Sequence, residues 1–311
     1  MTNAIETVDL SRRFRRLDAV DALNLQVPSG SVFGLVGPNG AGKTTTIKLL
    51  MNLVRPTRGS ASVLGTDSRH LAPRDLQRIG YVSENQRLPG WMTPASLLAY
   101  CRPFYPSWDE TLCRKLQADL NLPSNARLRT LSRGTRMKAA LLASLAYRPE
   151  LILLDEPFSG LDPLVRDELI RALLELAASD GRPMTVLVSS HDVEELERLA
   201  DWIGFIDRGR LMFAEPVSSL LARFRLVEVV AHNGAAVHPV RAAGWLPQGA
   251  AGRTIQFIDT NHAAPDADER LASAYPGADI HVSPLSLREI FVALARDVAQ
   301  GFSPARRRSQ P

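Results

Sequence analysis

Cysteine is almost missing from this chain, Cys101 and Cys113 being the whole supply. Two thiols are too few for a disulfide framework or a four-ligand zinc site, which fits a reducing compartment. A run of about 18 apolar residues is also missing, so no segment is expected to span a bilayer. Met1 to Leu10 lacks the basic stretch and apolar core of a secretory signal. There is no internal repeat, which sets solenoids and propellers aside. Strong charge is lacking too: the net value of +4 suits anionic partners in general without calling for nucleic acid. What is present is ordinary for a folded soluble protein, 45% hydrophobic and 23% charged. Its 311 residues leave room for one large α/β domain and a smaller second one.

Against this plain background one stretch stands out. Gly37-Pro38-Asn39-Gly40-Ala41-Gly42-Lys43-Thr44 satisfies GxxxxGK[ST], the loop whose backbone N–H groups surround nucleotide phosphates. Glycine lets such a loop curl round an anion with its N–H dipoles pointing inward. The context agrees: Val32–Val36 reads as a buried strand, and Thr45 to Met51 as a helix whose N-terminus favours an anion. Gly37, Pro38, Asn39, Gly40, Ala41, Gly42, Lys43, Thr44 and Thr45 are therefore candidate nucleotide contacts. Lys43 is placed to reach the β- and γ-phosphates and Thr44 to ligate Mg²⁺.

A second stretch supplies acids. Leu151-Ile152-Leu153-Leu154 runs straight into Asp155-Glu156, the pattern of a strand buried on both faces that delivers carboxylates at its end. Behind a P-loop, Asp155 is expected to hold Mg²⁺ and Glu156 to polarise the attacking water. Thr185–Ser190 is another buried strand, and His191 at its end is a candidate for bonding a phosphate or that water. Ile79–Val82 is a further strand, ending at Ser83-Glu84-Asn85-Gln86 on the edge where parallel sheets bind ligands.

Other features are weaker alone. Ser132-Arg133-Gly134 opens a helix over Met137 to Tyr147, either as a plain N-cap or as an anion site. Phe14, among Arg12, Arg13, Arg15 and Arg16, is either a base-stacking platform or a core or edge aromatic. Residues 93–122 read as mostly helical, broken at Pro103 and Pro106. The aromatics Trp91, Phe104, Tyr105 and Trp108 there form a small core or a partner surface. A helix from Leu164 to Ala178 follows the turn Ser159 to Pro163, and Ile203–Ile206 pairs with Arg210–Phe213 around Asp207-Arg208-Gly209.

In this order and spacing, the P-loop, Leu131–Thr135, Asp155-Glu156, Ser159–Asp162 and His191 resemble the nucleotide-binding domain of ATP-binding cassette (ABC) transporters, over about residues 5–220. The resemblance implies a P-loop NTPase fold of the ABC type. That fold has a mostly parallel α/β sheet core, an antiparallel β subdomain, and a helical subdomain over about residues 84–147, all within residues 1–222. It implies that Phe14 stacks on adenine and that Ser132 and Gly134 contact the nucleotide of a second cassette. Asp162 would lie in the D-loop, Glu156 would be the catalytic base, and His191 the switch histidine. Two motifs depart from the family pattern. Arg133 and Thr135 replace a glycine and the glutamine of the usual LSGGQ signature, and Glu84 stands where a magnesium-side glutamine is usual, so that the resemblance implies Glu84 beside Thr44 and Asp155 at the metal, engaging a magnesium-bound water. Both changes are familiar in bacterial single-cassette export ATPases, which the Phe104–Trp108 stretch also resembles.

The function implied is an ATPase subunit binding ATP and Mg²⁺, dimerising as homo- or heterodimer, and driving a separate multi-spanning permease. It would sit peripherally on the cytoplasmic face of the cell membrane, acting in export, with no nucleic acid expected. The alternatives are an import cassette or a non-transport ABC ATPase working on a soluble machine. Residues 223–298 resemble the small α/β extension attached to such exporters. There Leu226–Ala231, Thr254–Ile258 and Asp279–Val282 are strand-like and Asp266–Ala274 helical. The last helix, Ser286–Val298, carries an apolar stripe of Leu287, Ile290, Phe291 and Leu294, suited to a core or a dimer contact. Residues 299–311, with Arg306-Arg307-Arg308, read as a disordered basic tail.

Overall fold

The computed structural model describes residues 2–178, 183–232, 238, 240 and 242–299. The chain divides into two compact units, Met1–Ala214 and Glu215–Pro311. The expected basic tail from residue 300 onward lies outside the described residues.

The first unit opens with β1 (Asn3–Phe14), β2 (Leu17–Leu23) and β3 (Gln26–Pro28). Next, β4 (Val32–Val36) feeds the P-loop and α1 (Lys43–Leu50), followed by β5 (Arg58–Val63), β6 (Thr66–Asp67), α2 (Pro73–Leu76) and β7 (Ile79–Ser83). A helical stretch holds α3 (Pro94–Cys101), α4 (Glu110–Asp119) and α5 (Arg133–Leu145). The unit is completed by β8 (Leu151–Asp155), α6 (Pro163–Ala177), β9 (Thr185–Ser190), α7 (Val193–Glu197) and β10 (Trp202–Asp207), and β11 (Arg210–Pro216) runs across its end at Ala214.

These strands make two sheets. One is antiparallel, in the order β2-β1-β5-β6 with β3 also on β1. The other runs β11-β10-β4-β9-β8-β7, and its pairs from β10 through β7 are parallel. Every residue of β4, β8 and β9 is buried, as their unbroken apolar runs require of strands covered on both faces. Registry then sets the functional edge. Val36 lies opposite Ser190, Asp155 opposite Ser189, and Ser83 opposite Asp155. The carboxyl ends of β7, β8, β9 and β4 thus deliver Glu84, Asp155-Glu156, His191 and the P-loop side by side.

The core lies between the sheets and α1. Phe33, Leu35, Leu153 and Leu187 from the parallel sheet meet Ile47 and Leu50 of α1 and Ile5, Leu10, Val20 and Leu23 of the antiparallel one. Each such side chain contributes about 1.5–3 kcal/mol of transfer free energy. In the helical stretch the prolines act as anticipated: α3 ends in a short 3₁₀ turn, Arg102–Phe104, before α4. The aromatics there divide. Tyr105 stacks on Tyr147 at 3.7 Å between ring centroids, while Trp91, Tyr100 and Phe104 are exposed.

The second unit contains α8 (Val217–Arg223), β12 (Arg225–Val230), β13 (Trp245–Ala251), β14 (Thr254–Asp259), α9 (Ala267–Ala274), β15 (Asp279–Pro284) and α10 (Leu287–Ala299). Its antiparallel sheet has the order β13-β14-β12-β15. Val227, Val229, Ile255 and Phe257 of the sheet pack with Trp245, Leu271 and Tyr275. The α10 stripe of Leu287, Ile290, Phe291 and Leu294 is buried, so it is core. Sequence patterning does not foresee β13, because Pro247 and Gly249 interrupt any β signal. It is an edge strand with a register shift between those two residues. Nor does it foresee α8, too short for periodicity to register, which places the start of the second unit ahead of residue 223.

Candidate functional site

The P-loop is built from backbone. Gly42 caps the N-terminus of α1 at φ 108°, where an L side chain is strained, and a Cβ there would meet Ala19 O at 2.4 Å. A Cβ on Gly37 would come within 2.1 Å of Ile206 O. The turn between β10 and β11 braces the loop from outside: Gly209 N donates to Ala41 O at 2.8 Å. Lys43 is 5% exposed, and its Nζ donates to Gly37 O at 2.7 Å and Pro38 O at 3.2 Å and pairs with Glu156 Oε1 at 3.1 Å.

Both acids sit where the strand pattern puts them. Thr44 Oγ1 and Ser189 Oγ each donate to Asp155 Oδ1 at 2.9 Å. Burial raises the Asp155 pKa, the hydroxyl donors oppose that shift, and the Glu156 charge adds to it. Glu156 adopts φ +49°, left-handed backbone that a non-glycine residue enters at a cost of about 1–3 kcal/mol. Its N–H is shared between Ser189 O and Ser189 Oγ, both at 3.1 Å. The side chain is clamped on both oxygens, Oε1 by Lys43 and Oε2 by His191 Nδ1 at 2.7 Å. An ionised carboxylate only accepts, so the imidazole is the donor.

Three residues around these acids carry no motif. Ser189, fully buried, holds both Asp155 and the strained Glu156 N–H. Ser190 Oγ donates to Glu195 Oε2 at 2.7 Å and accepts from Asp192 N at 2.9 Å, fixing the turn that carries His191. Glu195 is 4% exposed and meets Arg166 of α6 at 3.4 Å; burial raises its pKa, with Ser190 and Arg166 opposing. Two serines closing an otherwise apolar strand, Thr185–Ser190, are the signal that would have marked the first pair. For Glu195 the partners come from other elements, and no local signal exists.

The remaining candidates fall at the rim. Phe14 is 41% exposed with the Arg12 guanidinium 4.4 Å above its ring, which excludes the core reading. The β1–β2 hairpin carrying it reaches the P-loop, since Ala19 lies against Gly42. Ser132 caps α5, accepting from Thr135 N at 3.1 Å, and is exposed. Gly134 is buried against Val165 of α6, where a Cβ would stand 3.1 Å from Cγ1. Asp162 caps α6 through Val165 N at 3.1 Å. Glu84 does not join Thr44 and Asp155. Its Oε1 takes Arg133 Nη2 at 3.4 Å and the Ser159 hydroxyl at 3.5 Å.

The donor set fits Mg²⁺. Thr44 Oγ1 and Asp155 Oδ1 are hard oxygens 2.9 Å apart, as suits an ion that takes one or two protein ligands and completes its shell with water and phosphate oxygens. Among the described residues no group of three or more His, Cys, Asp or Glu lies together as an all-protein cage.

A P-loop at the end of β4, two acids at the end of β8 and a histidine after β9 define a nucleotide-binding α/β protein of the P-loop class. The family model described as "ABC transporter" matches residues 20–159. The bacitracin transport ATP-binding protein BcrA of Bacillus licheniformis is 33% identical over 232 residues, 72% of this chain and 74% of that one. The probable multidrug ABC transporter ATP-binding protein YbhF of Escherichia coli is 35% identical over 225 residues, 70% of this chain but only 38% of YbhF. A dimeric ATP-binding cassette solved in a post-hydrolysis state with ADP and Pi superposes with a TM-score of 0.62, at 20% identity over 68% of this chain and 98% of that one. The chain belongs to the ABC transporter family, among its ATP-binding proteins.

Proposed function

We propose that this chain is the ATP-hydrolysing subunit of an exporter, working as a pair of cassettes on a separate membrane-embedded permease. The observation that carries the reading is the Glu156 carboxylate, buried at the sheet edge beside the P-loop and held by Lys43 on one oxygen and His191 on the other. Phosphates entering the loop meet its inward N–H groups and compete with Gly37 O, Pro38 O and Glu156 for the Lys43 ammonium. Once Lys43 turns to the phosphates, Glu156 Oε1 is free to accept a proton from water, and His191 keeps the carboxylate aimed. Thr44 and Asp155 would hold Mg²⁺, which when bound neutralises phosphate charge.

Ser132 bonds only within its own turn among the described residues, so its hydroxyl is available to a second copy. That second copy is proposed because the superposable cassette is a dimer. Export is proposed from the relatives' names, multidrug and bacitracin transport, and a peripheral place on the cytoplasmic face follows from that role. No helix among the described residues is long and apolar enough to cross a membrane; the membrane-spanning part is proposed to be a separate polypeptide because the relatives are named as ATP-binding proteins of transporters. The exposed Trp91, Tyr100 and Phe104 offer it an apolar surface. Phe14, exposed on a hairpin beside the P-loop, is the proposed base platform. The test is affinity purification of tagged Glu156→Gln protein from detergent-solubilised native membranes with ATP. A co-purifying multi-spanning protein is the expected result, and recovery of ribosomes, nucleic acid or soluble factors alone overturns the transport reading.

A further inference from the structure

Arg133 and Glu84, two of the three positions at which this chain leaves its family's pattern, are partners in the fold. Glu84 extends from the end of β7, and Arg133 is the first residue of α5. Arg133 Nη2 lies 3.4 Å from Glu84 Oε1. The same carboxylate oxygen takes the Ser159 hydroxyl at 3.5 Å, so one atom joins three segments. The guanidinium also lies over Gly160, whose φ is +67° and where a Cβ would come within 3.1 Å of Nη1. Gly160 leaves room for the arginine, and Arg133 in turn covers the turn that ends at Asp162.

We propose that Arg133 and Glu84 form a latch inside one chain, setting the N-terminal turn of α5 and the Ser159–Asp162 turn for contact with a second copy. The proposal rests on the paired-cassette reading above. Ser132 is exposed immediately beside Arg133, and Asp162 is exposed at the end of the latched turn. Ser132 caps the first turn and Asp162 closes the second, so an ion pair that ties both to the end of β7 narrows the positions they sample before a partner arrives. The pair also offsets the Glu84 charge at an edge that must receive anionic phosphates. Arg133 acts here through Glu84 and is a positioning residue.

A double-mutant cycle in the full-length Glu156→Gln protein tests this, reading Mg-ATP-dependent self-association by sedimentation velocity. The pair is partly exposed, with 46% and 35% of the two side chains accessible, so its effect is modest and salt-dependent. Arg133→Gln and Glu84→Gln are each expected to weaken association about three- to five-fold at low salt. The double variant is expected to lose no more than either single one, because both remove the same bond. ATP binding to the isolated Arg133→Gln chain should be unchanged, a split that general damage to the fold would not produce. Losses that multiply in the double variant, or single variants that associate like the parent, overturn the latch while leaving the paired cassette intact. Failure of the Glu156→Gln parent itself to associate with ATP overturns the paired-cassette reading and the latch with it.

Discussion

Asp155 shows what the site costs at the level of a single residue. It is 2% exposed, and burial raises its pKa although two hydroxyls donate to it. A carboxylate more easily ionised in the unfolded chain than in the folded one destabilises the fold once it is charged. Asp155→Asn keeps the shape and an acceptor for Thr44 and Ser189, so it should raise Tm at neutral pH while removing hydrolysis. The sign follows from the raised pKa. Below the ordinary carboxylate range both states are protonated and the gain is small. It grows as pH rises through the unfolded value and levels off above the folded one. Calorimetry across that range checks it, and a gain that shrinks with rising pH contradicts it. Glu195 is the converse case, since truncation to Ala strands Arg166 and Ser190. A loss of about 1–3 kcal/mol in urea unfolding is expected, the range for leaving a buried polar partner unsatisfied, since the Arg166 side chain keeps some contact with water. Asp155, Glu156 and Lys43 were legible because motif spacing encodes them. Ser189, Glu195 and Arg166 were not, because their roles arise from strand registry and from α6 meeting α7, which no local window contains.

At the scale of elements, the buried strands β4, β8 and β9 were legible because parallel strands covered on both faces are written as unbroken apolar runs. β2 and β13 were not. The first alternates imperfectly and the second holds Pro247 and Gly249, so both are strands by virtue of their neighbours. The helix after the P-loop begins at Lys43 rather than Thr45, since the glycine-rich turn itself caps it. Gly37 carries a sharp consequence at this scale. A Cβ there would collide with the Ile206 backbone oxygen at 2.1 Å, and backbone gives way poorly. Gly37→Ala should therefore displace the loop and lower ATP affinity at least tenfold, measured by fluorescent-nucleotide titration, while unchanged affinity would show that the loop tolerates the shift. In the second unit, Trp245 stacks on Phe257 at 4.5 Å and packs near Tyr275. Trp245→Ala is expected to cost that unit about 3–5 kcal/mol in denaturant unfolding.

At the scale of the whole molecule, the parallel sheet converts four separate stretches of sequence into one edge. Residues 37–44, Glu84, Asp155-Glu156 and His191 are far apart in the chain and adjacent in space because β4, β9, β8 and β7 are neighbours. Motif order made that edge legible in advance. The pairing of Glu84 with Arg133 was not legible, because each position read alone is only a departure from a pattern. In the proposed reaction Glu156 accepts the proton of the attacking water, and phosphate release measures that directly. With Mg-ATP the unaltered chain should release phosphate at a rate that rises more than in proportion to protein concentration, as the proposed pair of copies requires. Glu156→Gln should bind ATP as before and lose at least about a hundredfold in turnover, the lower end of what a positioned base supplies. Turnover by Glu156→Gln equal to that of the parent would contradict the account.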